Sequence, residues 1–156
     1  MSKLIIRKAD EDDILRIAEL EELCFPMPWS VNSIANEIIN NEKALYIVGE
    51  IEGKDKKVVS YMGVWQILDE GHITNVCVDP VYRRNHIAYD MMETMIEVTS
   101  KMGINKWTLE VRKSNYQAIS LYTKLGFKEV GVRKGYYEDN KEDAVIMWKG
   151  LSDRVN

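Results

Sequence analysis

The chain has 156 residues, of which 46% are hydrophobic and 29% are charged, and its formal net charge is −4. This length fits one compact core, and the composition is typical of a soluble globular protein rather than a disordered one. The negative charge argues against direct nucleic-acid binding, which needs a basic surface. We expect a single domain over residues 1–150 and a short C-terminal tail over residues 151–156.

The N-terminus and the apolar segments of the chain indicate the compartment. Residues Met1 to Arg7 contain no long apolar stretch before a small-residue cleavage site, and no run approaches the ~20 apolar residues of a membrane span. We therefore expect a cytoplasmic protein with no membrane association. Cys24 and Cys77 are too few for a disulfide framework and lack metal-ligand spacing, so we expect two buried thiols and no metal site.

The first half of the chain shows alternating and helical patterns between short polar breaks. In order, it predicts a strand at Leu4 to Lys8, helices at Asp12 to Leu23 and Val31 to Ile39, and strands at Ala44 to Ile51, Val58 to Leu68 and His72 to Val78. The polar residues Glu52 to Lys56 predict a hairpin turn. Asp79-Pro80 is expected to end the sixth element, since proline cannot continue a strand ladder.

The second half begins with a change of period. Ile87, Met91 and Met95 recur at helical spacing and predict a helix of about four turns that extends to Met102. Next, Trp107 to Arg112 alternates as a strand, with Glu110 on the face opposite its apolar residues.

The chain then predicts a short helix and two final strands. Ser114 and Gln117 have capping-box spacing, and Gly126 can end the helix that follows. Its apolar stripe consists of Ala118, Leu121, Tyr122 and Leu125. The last two strands are expected around Phe127 to Tyr137 and Asp143 to Lys149.

The segment after Val78 carries the first chemical motif. Arg83-Arg84-Asn85-His86-Ile87-Ala88 lies between a strand and a long helix, where free amides at a helix N-terminus can hold phosphate. It resembles the pyrophosphate loop of the GNAT acetyltransferases, written Q/R-x-x-G-x-G/A. The resemblance implies acetyl-CoA as co-substrate. The coenzyme-binding residues it implies are Val76, Cys77, Val78, Arg84, Asn85, His86, Ile87, Ala88, Tyr89, Asn115 and Tyr122.

His86 departs from that motif because it replaces the first glycine. If its backbone is left-handed, the cost is roughly 1–2 kcal/mol, equivalent to about tenfold in binding. The imidazole could pair with phosphate when protonated, or it could be a solvated loop residue.

The second motif runs from Leu109 to Phe127 and strongly resembles the GNAT segment L-E-V-R-x-S-N-x-x-A-I-x-L-Y-x-x-x-G-F. The resemblance implies that Glu110 is the general base, Asn115 a coenzyme-contacting amide and Tyr122 the acid that protonates the leaving thiolate. From the residues alone, Glu110 could be a solvated charge, Asn115 a helix cap and Tyr122 a core residue.

Two aromatic segments narrow the resemblance. Phe25 to Ser30, and Arg133 to Tyr137 followed by Glu142 to Met147, look like the bacterial ribosomal-protein alanine N-acetyltransferases, the RimI family. That family implies an acceptor at the N-terminal alanine of the eighteenth small-subunit ribosomal protein. It implies substrate-binding roles for Phe25, Trp29, Tyr136 and Tyr137. These aromatics could equally be core or rim residues, with Pro28 opening a helix at Trp29.

The resemblance implies an α/β GNAT fold, with a mixed, largely antiparallel sheet, helices on both faces and a splay at the acetyl-CoA site. The strands His72 to Val78 and Trp107 to Arg112 should be the parallel pair, joined by a right-handed crossover. The implied reaction is direct attack of an amine on acetyl-CoA in a ternary complex. The alternatives are acetylation of a small amine or lysine side chain, or a CoA-binding module without turnover.

Overall fold

The structure is a computed structural model, which describes residues 3–53 and 56–150. Within these residues seven strands form one sheet, in the order β1-β2-β3-β4-β5-β7-β6. The strands are β1 Leu4–Lys8, β2 Ala44–Ile51, β3 Lys57–Ile67, β4 Glu70–Val78, β5 Lys106–Arg112, β6 Lys128–Arg133 and β7 Ala144–Lys149. The helices are α1 Ile14–Cys24, α2 Val31–Ile39, α3 Ile87–Lys101 and α4 Tyr116–Lys124. The predicted α/β fold class is confirmed, and each predicted strand and helix is present.

Neighbouring strands are antiparallel except for β4 and β5, which are parallel as predicted. Their pairing extends only from Glu70 opposite Lys106 to His72 opposite Thr108. Both strands continue past this point, β4 to Val78 and β5 to Arg112. The sheet is therefore splayed over the second half of β4, where the backbone of this strand is left open to a ligand.

Each face of the sheet packs against helices. The long helix α3 buries its methionines against one face, and the stripe that predicts this helix is its buried side. Helices α1 and α2 pack on the other face through Ile17, Leu20 and Ile34. We refer to these as the α3 side and the α1/α2 side. On β5, Leu109 and Val111 belong to the α3 side, and Glu110 is exposed as its alternation predicts.

A bulge in β4 lies beside the splay. Met62 of β3 pairs with Val76, and Val64 pairs with Ile73, so β4 has one more residue than β3 between these pairs. Ile73 and Val76 both pack on the α3 side. The extra residue lets Asn75 reach across to α1, where its amide donates to Glu21 at 2.8 Å.

The helix starts differ in detail from prediction. A 3-10 turn, Glu11–Asp13, precedes α1. The predicted capping box at Ser114 is wrong, because Asn115 is the N-cap of α4 and its side chain accepts from the Ala118 amide at 3.2 Å. Ser114 instead donates its amide to Glu142. Helix α2 begins at Val31 as predicted, with Ser30 as its N-cap, so the alternative in which Pro28 opens a helix at Trp29 is wrong.

The end of β6 differs from its predicted position. β6 ends at Arg133, four residues before its predicted end, because Gly135 turns the chain at φ 59° and donates its amide to Asp143 at 2.9 Å. The predicted turn after β2 includes residues 54 and 55, and the predicted tail is 151–156. Residues 54, 55 and 151–156 lie outside the described residues.

Candidate active site

A cleft of about 850 Å³ opens where β4 and β5 separate. It is lined by the end of β4, the N-terminus of α3 and one face of α4. Ten of the eleven residues predicted to bind coenzyme line it, namely Val76, Cys77, Val78, Arg84, His86, Ile87, Ala88, Tyr89, Asn115 and Tyr122. The exception is Asn85, whose amide nitrogen donates to the Tyr82 carbonyl at 2.9 Å and so holds the loop together.

Asp79 anchors the loop at its start. Its carboxylate accepts from the Val81 amide at 3.0 Å and from the Arg16 guanidinium at 2.7 Å, and the residue is 4% exposed. Burial alone would raise the pKa of Asp79, but the Val81 amide and Arg16 outweigh it and hold this pKa below its usual value. The loop is thus tied to α1 by a partly buried ion pair.

His86 is the N-cap of α3 and has a left-handed backbone, with φ 65°. Arg84 is left-handed too, with φ 68°. The glycine position of the motif therefore has the conformation that favours glycine. Because the backbone already has this conformation in the structure, its cost falls on folding rather than on ligand binding. The imidazole stacks near Tyr89, with ring centroids 4.4 Å apart, and its Nδ1 lies 3.3 Å from Asp90 Oδ1.

Tyr122 is on the buried face of α4 and lines the cleft. Burial, and to a lesser extent the neighbouring Tyr137, raises its pKa to about 12. Its hydroxyl therefore keeps its proton at neutral pH, which suits a proton donor. Asn115 lines the same cleft while capping α4, so the cap role and a ligand contact are compatible.

Glu110 does not line the cleft. Its Oε2 lies 2.7 Å from Arg133 Nε, and its side chain is 32% exposed. Tyr136 and Tyr137 are its neighbours. Burial first, and then the Glu110 charge, raises the pKa of Tyr136. Burial also raises the pKa of Tyr137 to about 12, against the opposing charge of Arg112 and with smaller contributions from Tyr136 and Glu110. Tyr137 in turn adds to the effect of burial in raising the pKa of Tyr122. Tyr136 and Tyr137 thus lie between the predicted base and the predicted acid in their electrostatic influence.

The four aromatic residues predicted to bind substrate have different settings. Phe25 lines the cleft, whereas Trp29 is half-buried and packs on the α1/α2 side. Tyr136 and Tyr137 meet edge to face with centroids 5.1 Å apart, and the Arg112 guanidinium lies 4.0 Å from the Tyr137 ring centre. Of these four, only Phe25 is a direct part of the cleft wall.

The expectation of two free thiols is wrong. Cys24 and Cys77 are joined as a disulfide, with Cα atoms 6.4 Å apart. The C-terminus of α1 crosses the end of β4, which brings the two residues within the span of such a bond. Both residues line the cleft. The disulfide therefore links the helix before Phe25 to the strand that forms the cleft wall.

The motifs missed several other lining residues. They are Cys24, Pro80, Tyr82, Gln117, Ala118, Ser120, Leu121 and Lys124. Two more lining residues are Arg83, which begins the loop motif, and Phe25, which is predicted for substrate rather than coenzyme. Four of the missed residues are spaced as i, i+3, i+4 and i+7 along the helix, namely Gln117, Ser120, Leu121 and Lys124. That spacing was a usable signal, because it places them on one face of α4.

The described part of the chain contains no cluster of three or more His, Cys, Asp or Glu residues suited to a metal ion. Among the same residues, no helix is long and apolar enough to cross a bilayer.

Comparisons with known proteins agree with this geometry. Residues 14–127 match the model of the Acetyltransferase (GNAT) family. An Escherichia coli (strain K12) ribosomal protein bS18-alanine N-acetyltransferase is 32% identical over 91% of this chain and 94% of its own length. A Bacillus subtilis (strain 168) protein, provisionally named for the same activity, is 35% identical over 97% of this chain and 99% of its own length.

Solved structures extend the agreement. The crystal structure of the ribosomal-protein-S18-alanine N-acetyltransferase from Escherichia coli superposes with a TM-score of 0.85 at 30% identity, covering 99% of both chains. Arabidopsis thaliana NAA60 shares the fold, with a TM-score of 0.84 at 16% identity over 96% of this chain and all of the other. The chain belongs to the acetyltransferase (GNAT) family.

Proposed function

We propose that this protein transfers the acetyl group of acetyl-CoA to the N-terminal amine of a ribosomal protein, with the N-terminal alanine of a bS18 protein as acceptor. The observation that carries the proposal is that relatives named for this activity match nearly the whole length of the chain, at 35% and 32% identity. The alternative acceptors, small amines and lysine side chains, are outcomes of the test below.

The cleft suits acetyl-CoA in shape and charge. It opens beside the unpaired end of β4, and the N-terminus of α3 faces into it through Ile87, Ala88 and Tyr89. Free amides and the helix dipole favour phosphate at such a position. Three cations, Arg83, Arg84 and Lys124, line the same cleft and complement the negative charge of the coenzyme.

The reaction is direct attack of the neutral amine nitrogen on the thioester carbonyl carbon. A C–N bond forms, the C–S bond breaks, and the departing sulfur takes the Tyr122 hydroxyl proton. The attacking nitrogen loses a proton to the Glu110 carboxylate, directly or through water. Amides of β4 around Val76 to Val78 stabilise the developing oxyanion. No covalent enzyme intermediate is needed, so neither cysteine acts as nucleophile.

Protonation favours an N-terminal acceptor. An α-amine with a pKa near 8 is about 10% neutral at pH 7, whereas a lysine near 10.4 is about 0.04% neutral. The enzyme therefore finds far more of the reactive form at an N-terminus. This difference supports an α-amine over a lysine side chain.

The test uses a peptide that begins with Ala-Arg and carries one internal Lys, incubated with acetyl-CoA and analysed by fragmentation mass spectrometry. Acetyl on the α-amine is expected. Acetyl on the lysine would replace the proposal with side-chain acetylation, and absence of transfer despite measured coenzyme binding would indicate another acceptor or a module without turnover. An acetylated-N-terminus version of the same peptide is the matched control, since it offers only the lysine.

A further inference from the structure

Glu21 on α1 is a buried acid that the proposed chemistry does not use. It is 1% exposed. Its Oε1 accepts from the Trp29 amide at 2.8 Å, and its Oε2 accepts from the Asn75 side chain at 2.8 Å and from the Tyr61 hydroxyl. Both oxygens are therefore used, and all three donors are neutral.

Glu21 holds both ends of the segment between α1 and α2. Its backbone carbonyl accepts from the Phe25 amide at 2.9 Å, while its side chain accepts from the Trp29 amide. Between these points the tip of the segment, Pro26 to Pro28, is exposed. The Phe25 bond is the last i→i−4 bond of α1 and needs no side chain. The Trp29 bond is made by the Glu21 side chain, and it holds the far end of a segment that has no helix or strand of its own.

On its other side Glu21 contacts the sheet beside the cleft. Tyr61 is on β3, and Asn75 lies in the β4 bulge, next to the cleft residue Val76. Asn75 also donates to the Tyr61 hydroxyl at 3.0 Å. Burial first, and then the Glu21 charge, raises the pKa of Tyr61, so its hydroxyl remains a donor. One side chain thus joins the segment from Phe25 to Ser30 to the strand that forms the cleft wall.

This arrangement is costly for a purely structural role. Burying a carboxylate among neutral donors forfeits hydration that an apolar residue would not lose. A carboxylate does have one geometric advantage here, because its two oxygens can accept from two directions at once. The segment on one side and the sheet on the other require that geometry.

We propose that Glu21 is a positioning residue, which fixes the segment Phe25 to Ser30 against β4 so that its exposed tip and Phe25 form the acceptor side of the active site. This inference rests on the proposed function, because it assigns the segment to the acceptor. Loss of Glu21 should weaken acceptor binding while leaving the coenzyme-binding loop at His86 intact.

The kinetic test measures KM for peptide and for acetyl-CoA separately. Glu21→Ala should raise the peptide KM about tenfold, the effect of losing a hydrogen bond to a charged group, with the acetyl-CoA KM within about twofold. Glu21→Gln keeps one side-chain oxygen for the Trp29 amide but loses the second acceptor, so the peptide KM should rise less than in Glu21→Ala. If Glu21→Ala does not fold, Glu21→Asp keeps the charge but shortens the reach by one methylene, and should raise the same KM.

Glu37 provides a matched control on α2. Its carboxylate also accepts from three neutral donors, Tyr46 at 2.7 Å, Trp65 at 2.6 Å and Asn41 at 2.9 Å. It lies on the helix that packs on the same side of the sheet, and none of these three hydrogen bonds reaches the segment from Phe25 to Ser30. Glu37→Ala should lower stability without changing the peptide KM. An equal rise in peptide KM in the Glu21 and Glu37 variants, or no rise in either, overturns the proposal.

A second measurement does not depend on catalysis. Amide hydrogen exchange should become faster in residues 25–30 of Glu21→Ala, with residues 86–89 unchanged. Equal acceleration in both regions, or in neither, refutes the positioning role. If the unaltered protein transfers no acetyl group to the peptide, the proposed function fails, and exchange alone then decides whether Glu21 positions the segment.

Discussion

Arg133 Nε lies 2.7 Å from Glu110 Oε2, so the proposed catalytic base is held by a cation from β6. The Arg133 side chain is 57% exposed, and an ion pair at such a position contributes less than about 1 kcal/mol. Arg133 can therefore turn away into solvent at little cost when an acceptor amine approaches the carboxylate. The ion pair with Arg133 orients the Glu110 carboxylate and still leaves it able to accept a proton from the acceptor amine.

The first prediction concerns Glu110. Glu110→Gln should lower kcat at saturating acetyl-CoA by at least about 100-fold, because the amide cannot accept the proton of the attacking amine. Coenzyme affinity, measured by calorimetry, should stay within about twofold, since Glu110 does not line the cleft. Glu129→Gln on exposed β6 is the control. Unchanged turnover in Glu110→Gln would remove this residue from the mechanism.

The second prediction concerns the proton donor. With its pKa at about 12, Tyr122 stays protonated at about pH 10, where an ordinary tyrosine is half ionised. Activity should therefore show no loss from Tyr122 ionisation between about pH 8 and pH 10, and should lose this donor only as pH rises towards 12. The profile of kcat against pH, with tyrosinate absorbance followed in parallel, checks this expectation.

Removing the Tyr122 hydroxyl should be far more damaging than raising the pH. Tyr122→Phe should reduce kcat by about 100-fold or more. Tyr116→Phe, on the same helix but 79% exposed, should leave kcat unchanged. If the two variants were equally active, Tyr122 would be a packing residue only.

The third prediction concerns Asp79. Its pKa is lower in the folded protein than its unfolded value near 3.9, so its stabilising effect is complete above about pH 4 and is lost as pH falls through the folded value. Asp79→Asn should lower the free energy of unfolding by about 1.5–3 kcal/mol at neutral pH. Urea unfolding at several pH values should show the gap to the unaltered protein narrowing in acid. Asp12→Asn, at an exposed position, should show no such gap.

The fourth prediction concerns Cys24 and Cys77, which are 53 residues apart in sequence. Alkylation of the denatured protein before and after reduction should reveal thiols only after reduction. Reduction should lower the free energy of unfolding by about 2–4 kcal/mol, as expected for a disulfide that closes a loop of this length. The double variant Cys24→Ser with Cys77→Ser should be insensitive to reductant. Free thiols in the unreduced protein would contradict the pairing.

Local patterns predicted the elements well because each depends on its own residues. The bounds Leu4–Lys8, Val31–Ile39 and Ala44–Ile51 are identical in sequence and structure, since hydrophobic period and turn residues determine them. The cap of α4 was harder, because Ser114 and Asn115 are adjacent and both side chains can cap a helix. The structure distinguishes the two candidate caps, because the Ser114 amide donates to the distant Glu142 and the Asn115 side chain caps the helix.

Local sequence patterns could not predict contacts between residues that are far apart in the sequence. Arg133 with Glu110, and Cys24 with Cys77, meet only because the sheet order brings distant segments together. The Glu21 interactions require α1, β3 and the β4 bulge at once. The motifs did predict ten residues that line the cleft, because most of these follow one another along β4, the loop and α3.

The short pairing of β4 with β5 also has a mechanical consequence. Only three residue pairs join the β1–β4 half of the sheet to the β5–β7–β6 half, and the core on the α3 side supplies the remaining contact between them. A molecule seated in the cleft contacts β4 in one half and α4, which follows β5, in the other, and so adds a further link between the halves. Coenzyme should then raise the melting temperature of both halves together, with a gain that grows with its concentration.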